Sequence, residues 1–204
     1  MRGKISTFSV KDRSLSQTKY VKHVRRRVTL FTVNKAKGEI IKTNTSVVIL
    51  SGGGLVLPYF KDSCGRWNIV LVSQFRPAVT AVTVEAPGGR LDSETSDVAL
   101  ARELFEEAGI KVKPQSITIV VNEYTHPSIL STLNIGGIVR IKPNMVKNKK
   151  IAGNSHENEW TQVEIFDLVE IMKKRDAKLI MLDLMTSRLI DEVAKATKML
   201  IKNY

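Results

Sequence analysis

The sequence lacks the features that mark disulfide-bonded or membrane-spanning proteins. Its single cysteine, Cys64, excludes an intramolecular disulfide, which fits a reducing compartment. No apolar run approaches the roughly 18 residues that a membrane-spanning helix needs, and the longest runs have the length of a strand. We therefore expect a cytoplasmic protein with no membrane partner.

Acidic residues are scarce at the start of the chain. The first 27 residues hold nine arginines and lysines against one acid, Asp12, and the whole chain carries a net charge of +12. Such an excess favours anionic partners, namely nucleotides, RNA or a membrane surface, without choosing among them. We interpret residues 1–24 as a basic N-terminal segment, most simply a solvated strand edge. A basic arm and an organelle-targeting segment are the alternatives.

Short apolar segments separated by polar or glycine-containing turns predict strands over most of the first 141 residues. One helix interrupts them, from about Asp97 to Ala108, with Thr95 or Ser96 as its cap and Gly109 at its end. Two further helices are predicted at Asp167–Lys174 and Asp176–Leu200. This order of elements predicts an α+β fold or a mixed-sheet sandwich.

The interrupting helix is predicted to have one apolar and one acidic face. The apolar face consists of Val98, Ala101, Leu104, Phe105 and Ala108. Glu103, Glu106 and Glu107 fall on the opposite face, three and four residues apart, so that their carboxylates are neighbours. A solvated acidic face is the ordinary interpretation of such a pattern.

The electrostatics of three adjacent acids argue against that ordinary interpretation. Two carboxylates about 5 Å apart repel by roughly 3 kcal/mol at an effective dielectric near 20, and the negative helix C-terminus adds to this cost. Arg102 offsets only part of the repulsion. A divalent cation offsets more, and oxygen ligands favour a hard ion such as Mg²⁺ or Mn²⁺.

The spacing around this helix carries a family resemblance. Gly88 is followed after five residues by Glu94, and after seven more by the run Arg102-Glu103-Leu104-Phe105-Glu106-Glu107-Ala108-Gly109-Ile110. This pattern resembles the Nudix box at every specified position. The resemblance implies a Nudix hydrolase over residues 25–204, with a mixed β-sheet sandwiched between α-helices, an α/β/α arrangement.

The resemblance also implies roles for individual residues. Glu103, Glu106 and Glu107 would bind the metal, together with the backbone carbonyl of Gly88, or of Pro87 if the loop is one residue shorter. Glu94 and Arg102 resemble the pair that supports the box loop.

Outside the box, the chain resembles the ADP-ribose pyrophosphatase branch of the family. Ser73-Gln74-Phe75-Arg76-Pro77 resembles a strand end at which an arginine holds substrate phosphate, although a surface salt bridge is the alternative for Arg76. Glu85 begins a segment that resembles the branch's entry to the box. Trp160 could stack on an adenine.

The same branch places a catalytic glutamate on a loop before the last strand. His156-Glu157-Asn158-Glu159-Trp160 fits this position, and we favour Glu159 over Glu157 because Glu159 is nearer the strand predicted at Val163–Phe166. If neither is the base, Glu106 is the candidate. The branch usually has a proline shortly after the box, followed by a glycine and then a glutamate. Pro127 fits that proline, but the glycine and the glutamate are missing after it.

The expected reaction is hydrolysis of a pyrophosphate bond in a nucleoside diphosphate derivative, with ADP-ribose giving AMP and ribose 5-phosphate. Alternatives are another NDP-sugar or NADH as substrate, hydrolysis at an RNA cap or 5′ end, and a nucleotide-sensing domain without activity. RNA ranks lower because the sequence holds no recognisable RNA-binding module. The resemblance also implies a homodimer formed through strands at about residues 25–50.

Overall fold

A computed structural model describes residues 4–18, 21–33, 39–91, 93–124, 127–146, 161–177 and 182–198. The chain divides into two compact units. The first unit comprises residues 1–51 and 124–133, and the second comprises residues 52–123 and 134–204. The division therefore falls after Ser51, whereas the sequence interpretation separated residues 1–24 from the rest.

The first unit contains a three-stranded antiparallel sheet with strand order β1-β2-β3. Its strands are β1 (Lys4–Gln17), β2 (Val21–Val33) and β3 (Glu39–Leu50). Burial alternates along β2, where Val24 is fully buried and Arg25 is exposed, because successive side chains of a strand point to opposite faces. Most of the basic N-terminal segment is thus an exposed edge strand and the start of its neighbour.

The second unit is built on a seven-stranded mixed sheet. Its main path runs β10-β5-β4-β9-β8, with β6 paired to β5 and β7 paired to β4. The β4 and β9 strands are parallel, and β4 is antiparallel to β5 and β7. The strands are β4 (Gly53–Lys61), β5 (Trp67–Arg76), β6 (Ala81–Glu85), β7 (Gly88–Arg90), β8 (Thr118–Tyr124), β9 (Leu133–Arg140) and β10 (Thr161–Asp167).

Helices cover both faces of this sheet. The helices are α1 (Ser96–Ala108), α2 (Leu168–Asp176) and α3 (Leu184–Ala196). Val56 and Val70 of the sheet belong to the same buried cluster as α1, whereas Leu57 and Leu71 belong to the cluster of α2 and α3. The predicted α+β fold with α/β/α layering is confirmed. None of the helices in the described part of the chain is long and apolar enough to cross a membrane.

The prediction of one long C-terminal helix from Asp176 to Leu200 is wrong. Ala177 ends α2, and α3 begins only at Leu184. The carboxylate of Asp183 accepts a hydrogen bond from the backbone N–H of Thr186 at 2.7 Å, so Asp183 is the N-cap of α3. The apolar periodicity continued across this break, and so it did not reveal the cap.

The predicted apolar face of α1 is also partly wrong. Val98 and Phe105 are 38% and 55% exposed, whereas Leu100, absent from the prediction, is fully buried beside Leu104. The buried stripe is therefore rotated away from Phe105. Because of this rotation, Glu103 on the other side of the stripe is brought close to the sheet, and its side chain is only 13% exposed.

This corrected helix face makes a testable prediction about stability. Leu100→Ala should lower the free energy of unfolding by about 2–5 kcal/mol, because it leaves a cavity in the core. Phe105→Ala should lower it by no more than about 1 kcal/mol, because the ring is largely at the surface. Urea unfolding of both variants measures the difference. Equal losses, or a larger loss for Phe105→Ala, would show that the helix is oriented as the sequence suggested.

Candidate active site

The site is built where α1 approaches the short strand β7. Backbone hydrogen bonds link Val56 N–H to the Pro87 carbonyl at 2.8 Å and Leu91 N–H to the Gly52 carbonyl at 2.9 Å. In an antiparallel pair, hydrogen-bonded and non-hydrogen-bonded positions alternate, so Gly88, paired with Leu55, occupies a non-hydrogen-bonded position. The polar groups of its backbone therefore point away from β4.

The amide of Gly88 points to the box helix. Its N–H donates to the Glu107 carboxylate at 2.8 Å, which places this predicted ligand directly beside the predicted backbone ligand. The carbonyl of Pro87, the alternative, accepts from Val56 instead. The strand geometry therefore favours Gly88 over Pro87 as the backbone group at the site.

Two adjacent glycines allow β7 to pack closely, Gly88 against β4 and Gly89 against α1. A Cβ added to Gly88 would lie 2.1 Å from the backbone oxygen of Gly54, and one added to Gly89 would lie 2.4 Å from a carboxylate oxygen of Glu103. Real Cβ atoms essentially never come within 3.0 Å of such atoms. The carboxyl group of Glu103 thus occupies the space that a side chain at position 89 would fill.

Arg102 lies at the centre of the charged groups on α1. Its guanidinium donates to Glu94 at 2.9 Å, to Glu103 at 2.8 Å and to Glu106 at 3.2 Å, and also to the backbone carbonyl of Arg90 at 3.2 Å. Burial alone would lower the pKa of Arg102, but the hydrogen bond to Glu94 and the charge of Glu103 raise it. The structure therefore brings the predicted support pair together and ties both to the box acids.

The donor set fits a hard divalent cation, although the carboxylates do not converge. No group of three acids, histidines or cysteines within the described residues is close enough to hold a metal together, because Glu103 and Glu106 contact Arg102 and Glu107 contacts Gly88. All three project from one edge of α1, and the side chain of Glu106 is 39% exposed. Each of these carboxylates has other staggered side-chain conformers, and carboxylate oxygens are donors that a hard divalent cation prefers.

The predicted substrate residues Arg76 and Glu85 contact each other. The guanidinium donates to both carboxylate oxygens, at 3.0 and 2.6 Å, and Thr83 donates a further hydrogen bond to Glu85. Burial alone would raise the pKa of Glu85, but the hydrogen bonds from Arg76 and Thr83 outweigh it and hold that pKa below its usual range. This pair is the salt bridge that the sequence interpretation kept as an alternative for Arg76.

A buried hydrogen-bond chain that the sequence analysis missed anchors the segment before β7. Ala86 N–H donates to the Thr186 hydroxyl at 2.8 Å, and that hydroxyl donates to Asp183 at 2.7 Å. Burial, and then the nearby negative charge of Glu85, raise the pKa of Asp183. Aspartate is a residue type that commonly caps a helix N-terminus, so Asp183 could have been located had the predicted helix not been extended across it.

Three predicted residues, Glu157, Glu159 and Trp160, lie outside the described residues. The chain is described again from Thr161, the first residue of β10, which is almost fully buried. Its hydroxyl donates to the backbone carbonyl of Glu107 at 3.4 Å. The last turn of the box helix is therefore in contact with Thr161, the residue that directly follows Trp160 in the sequence.

Comparison with known proteins shows the family of the chain. A family model of the NUDIX domain matches residues 56–183, more than half of the chain. The chain belongs to the Nudix family. It is 30% identical to the ADP-ribose pyrophosphatase of Saccharomyces cerevisiae over 161 residues, which cover 74% of this chain and 69% of the yeast protein. It is 25% identical to the GDP-mannose pyrophosphatase of Cronobacter sakazakii over 190 residues, 85% of this chain and 91% of that protein.

The limits of the Nudix match correspond to features of the fold. The match begins in β4 and ends at Asp183, the cap of α3. It includes α1 and the β7 glycines, and it leaves the strands β1 to β3 outside. The site residues on the box helix therefore belong to the matched domain, whereas the strands β1 to β3 lie outside the matched residues.

The two glycines should respond differently to substitution. Gly88→Ala forces a methyl group against the backbone of β4, which cannot move without disturbing the sheet, so we expect a loss of about 1–3 kcal/mol or more. Gly89→Ala meets the end of the flexible Glu103 side chain, so it should leave most of the stability and displace that carboxylate. Thermal unfolding measures the first effect. If Gly89→Ala unfolds at the lower temperature of the two, the proposed packing of β7 on α1 is wrong.

Proposed function

We propose that this Nudix enzyme hydrolyses the pyrophosphate bond of a nucleoside diphosphate derivative, with ADP-ribose as the preferred substrate and AMP and ribose 5-phosphate as products. The observation that carries the proposal is the pairing of the Glu107 carboxylate with the amide of Gly88 beside Glu103. The named activities of the two relatives, on ADP-ribose and on GDP-mannose, support the substrate class. GDP-mannose is accordingly the second candidate substrate.

Mg²⁺ or Mn²⁺ is the proposed cofactor, held by Glu103, Glu106, Glu107 and the carbonyl of Gly88. When bound, such an ion neutralises the pyrophosphate and lowers the pKa of a bound water. Arg102 contributes by holding Glu103 and Glu106 on one side of the helix. Its contact with Glu94 fixes the guanidinium itself, which is the support role that the sequence suggested.

Arg76 is the proposed phosphate-binding residue, and Glu85 is its positioning partner. Both oxygens of the nearly buried Glu85 accept from Arg76, whose own side chain is 40% exposed. A bidentate pair fixes the plane of the guanidinium, so the outer edge of Arg76 has a defined orientation at the surface. An arginine held in this way suits the recognition of a phosphate oxygen.

The general base is proposed to be a loop glutamate, Glu159, with Glu157 as the alternative on the same loop. The contact between Thr161 and the end of the box helix supports this assignment, because it attaches the loop next to Glu107. A loop that closes over substrate can exclude water and complete the site. If no loop acid acts, Glu106, the most exposed box acid in contact with Arg102, is the remaining candidate. Trp160 is proposed to contact the nucleobase.

Hydrolysis should require both the metal and Glu107. We expect EDTA to abolish hydrolysis and Mg²⁺ or Mn²⁺ to restore it. The substrates to be compared are ADP-ribose, GDP-mannose, other NDP-sugars, NADH and capped RNA, with phosphate release measured through a coupled phosphatase. Glu107→Gln should lower kcat by at least about a hundredfold, because a lost ligand charge weakens transition-state stabilisation by about 3 kcal/mol. ADP-ribose should have the highest kcat/KM of the panel.

The matched control is Glu170→Gln, which removes the same charge from an exposed glutamate on α2. It should retain wild-type kcat. Full activity in EDTA would refute the metal, a preference for capped RNA would refute the substrate class, and inactivity on every substrate would support a sensor domain.

The two loop glutamates can be distinguished by kinetics. If Glu159 is the base, Glu159→Gln should lower kcat by about 10²–10⁴ and leave KM nearly unchanged, because the loss falls on the transition state. Glu157→Gln should show this pattern instead if Glu157 is the base. Should both variants keep more than about a tenth of wild-type kcat, the base is not on the loop, and Glu106→Gln becomes the variant to measure.

A further inference from the structure

The outer face of the N-terminal sheet carries four cations in a regular arrangement. In the register of β1 and β2, Lys11 lies opposite Arg27 and Arg13 lies opposite Arg25. Directly opposite residues project to the same face with Cβ atoms about 4.5–5.5 Å apart, and alternate residues of a strand are about 7 Å apart. All four side chains are exposed. We call these four residues the basic array.

Nothing in the described part of this unit neutralises the basic array. The only acid among its described side chains is Asp12, which alternates to the other face and accepts from Arg26 at 2.8 and 2.9 Å. Arg27 donates to the neutral amide oxygen of Asn44 at 3.1 Å. Like charges directly opposite one another destabilise a sheet, so the array has a cost to folding that an anionic partner would remove.

The array lines a cavity of about 300 Å³ together with Asp12 and Asn44. Further polar side chains continue along the same face, since Ser9 lies opposite Thr29 and Arg25 lies opposite Ser46. Hydroxyl and amide groups of this kind contact phosphate and sugar oxygens in nucleic-acid complexes. Phe, Tyr and Trp are absent from the described side chains of the three strands, and the imidazole of His23, which shares a face with Arg25, is the one ring among them on which a base could stack.

We propose that the basic array binds the phosphate backbone of a nucleic acid, without regard to sequence. Four cations within about 7 by 5 Å match a polymer of high charge density, and duplex DNA carries one charge per about 1.7 Å of its axis. An acidic peptide strand presents at most one carboxylate per about 7 Å on one face. Three of the four cations are arginines, whose planar guanidinium forms two parallel hydrogen bonds with a phosphate.

A second copy of this chain does not fit array against array, so the homodimer expected through strands at about residues 25–50 would have to use another part of these strands. A twofold interface brings identical patches together, so the four cations of one copy would meet those of the other. The proposal is independent of the hydrolase reaction, because the strands of the array lie outside residues 56–183 that match the family domain.

The test is binding of the full chain to a fluorescein-labelled oligouridylate and to the corresponding DNA, followed by anisotropy as salt is varied. The logarithm of the association constant should fall with the logarithm of salt concentration with a slope of about −0.7 per phosphate contact, or about −3 for four cations. Arg25→Gln with Arg27→Gln should weaken binding about tenfold and reduce the slope by about 0.7 for each residue. The pair Lys11→Gln with Arg13→Gln on the edge strand should do the same.

Lys111→Gln with Lys113→Gln is the matched control, since these exposed lysines are also two residues apart and the loss of charge is equal. If this control weakens binding as much as the array variants, binding is diffuse and the proposal is wrong. The proposal is also wrong if polyglutamate, or vesicles of phosphatidylserine and phosphatidylcholine, bind as tightly as the oligonucleotides and the array variants weaken that binding too. Both array variants should melt no lower than wild type, because each removes a repulsion, and hydrolysis of the small substrate should be unchanged.

Discussion

The close approach of α1 to β7 is the contact on which the candidate site depends. Glu103 can lie against the strand only because position 89 has no side chain, and β7 can lie against β4 only because position 88 has none. The amide of Gly88 is available to Glu107 because it occupies a non-hydrogen-bonded position opposite Leu55. The pairing register of β4 and β7 therefore determines which backbone groups face the acids, and a shift of one residue would reverse them.

The negative charges at this contact are balanced by one arginine of the helix itself. One guanidinium, that of Arg102, donates to Glu94, Glu103 and Glu106, so the repulsion among the acids is offset without closing the site to an ion. On the other side of the site, Asp183 and Thr186 hold the backbone of Ala86. The segment from Ala86 to Gly89 is thus fixed at both ends, by α3 at its start and by α1 at its finish.

The sequence predicted the site better than it predicted the packing around it. Glu103, Glu107, Arg102 and Glu94 could be located because their spacing is set by the helix period and by a motif. The outward position of Phe105 and the burial of Leu100 could not, because apolar size alone does not distinguish the centre of a buried stripe from its edge. The Thr186 link to Ala86 joins residues one hundred positions apart, and no local pattern encodes such a contact.

The two compact units differ in how their charged side chains are arranged. In the second unit, two acids of α1 and Glu94 before it form ion pairs with Arg102. This arrangement suits a small ligand that must be held at one position. In the first unit, cations on β1 and β2 lie opposite one another with a neutral neighbour, Asn44, which suits a polymer that can shift along the face. The net charge of +12 is therefore not a property of the catalytic site. Because the family model matches residues 56–183 and does not include β1 or β2, the chemistry of the reaction and the basic surface can be inferred separately.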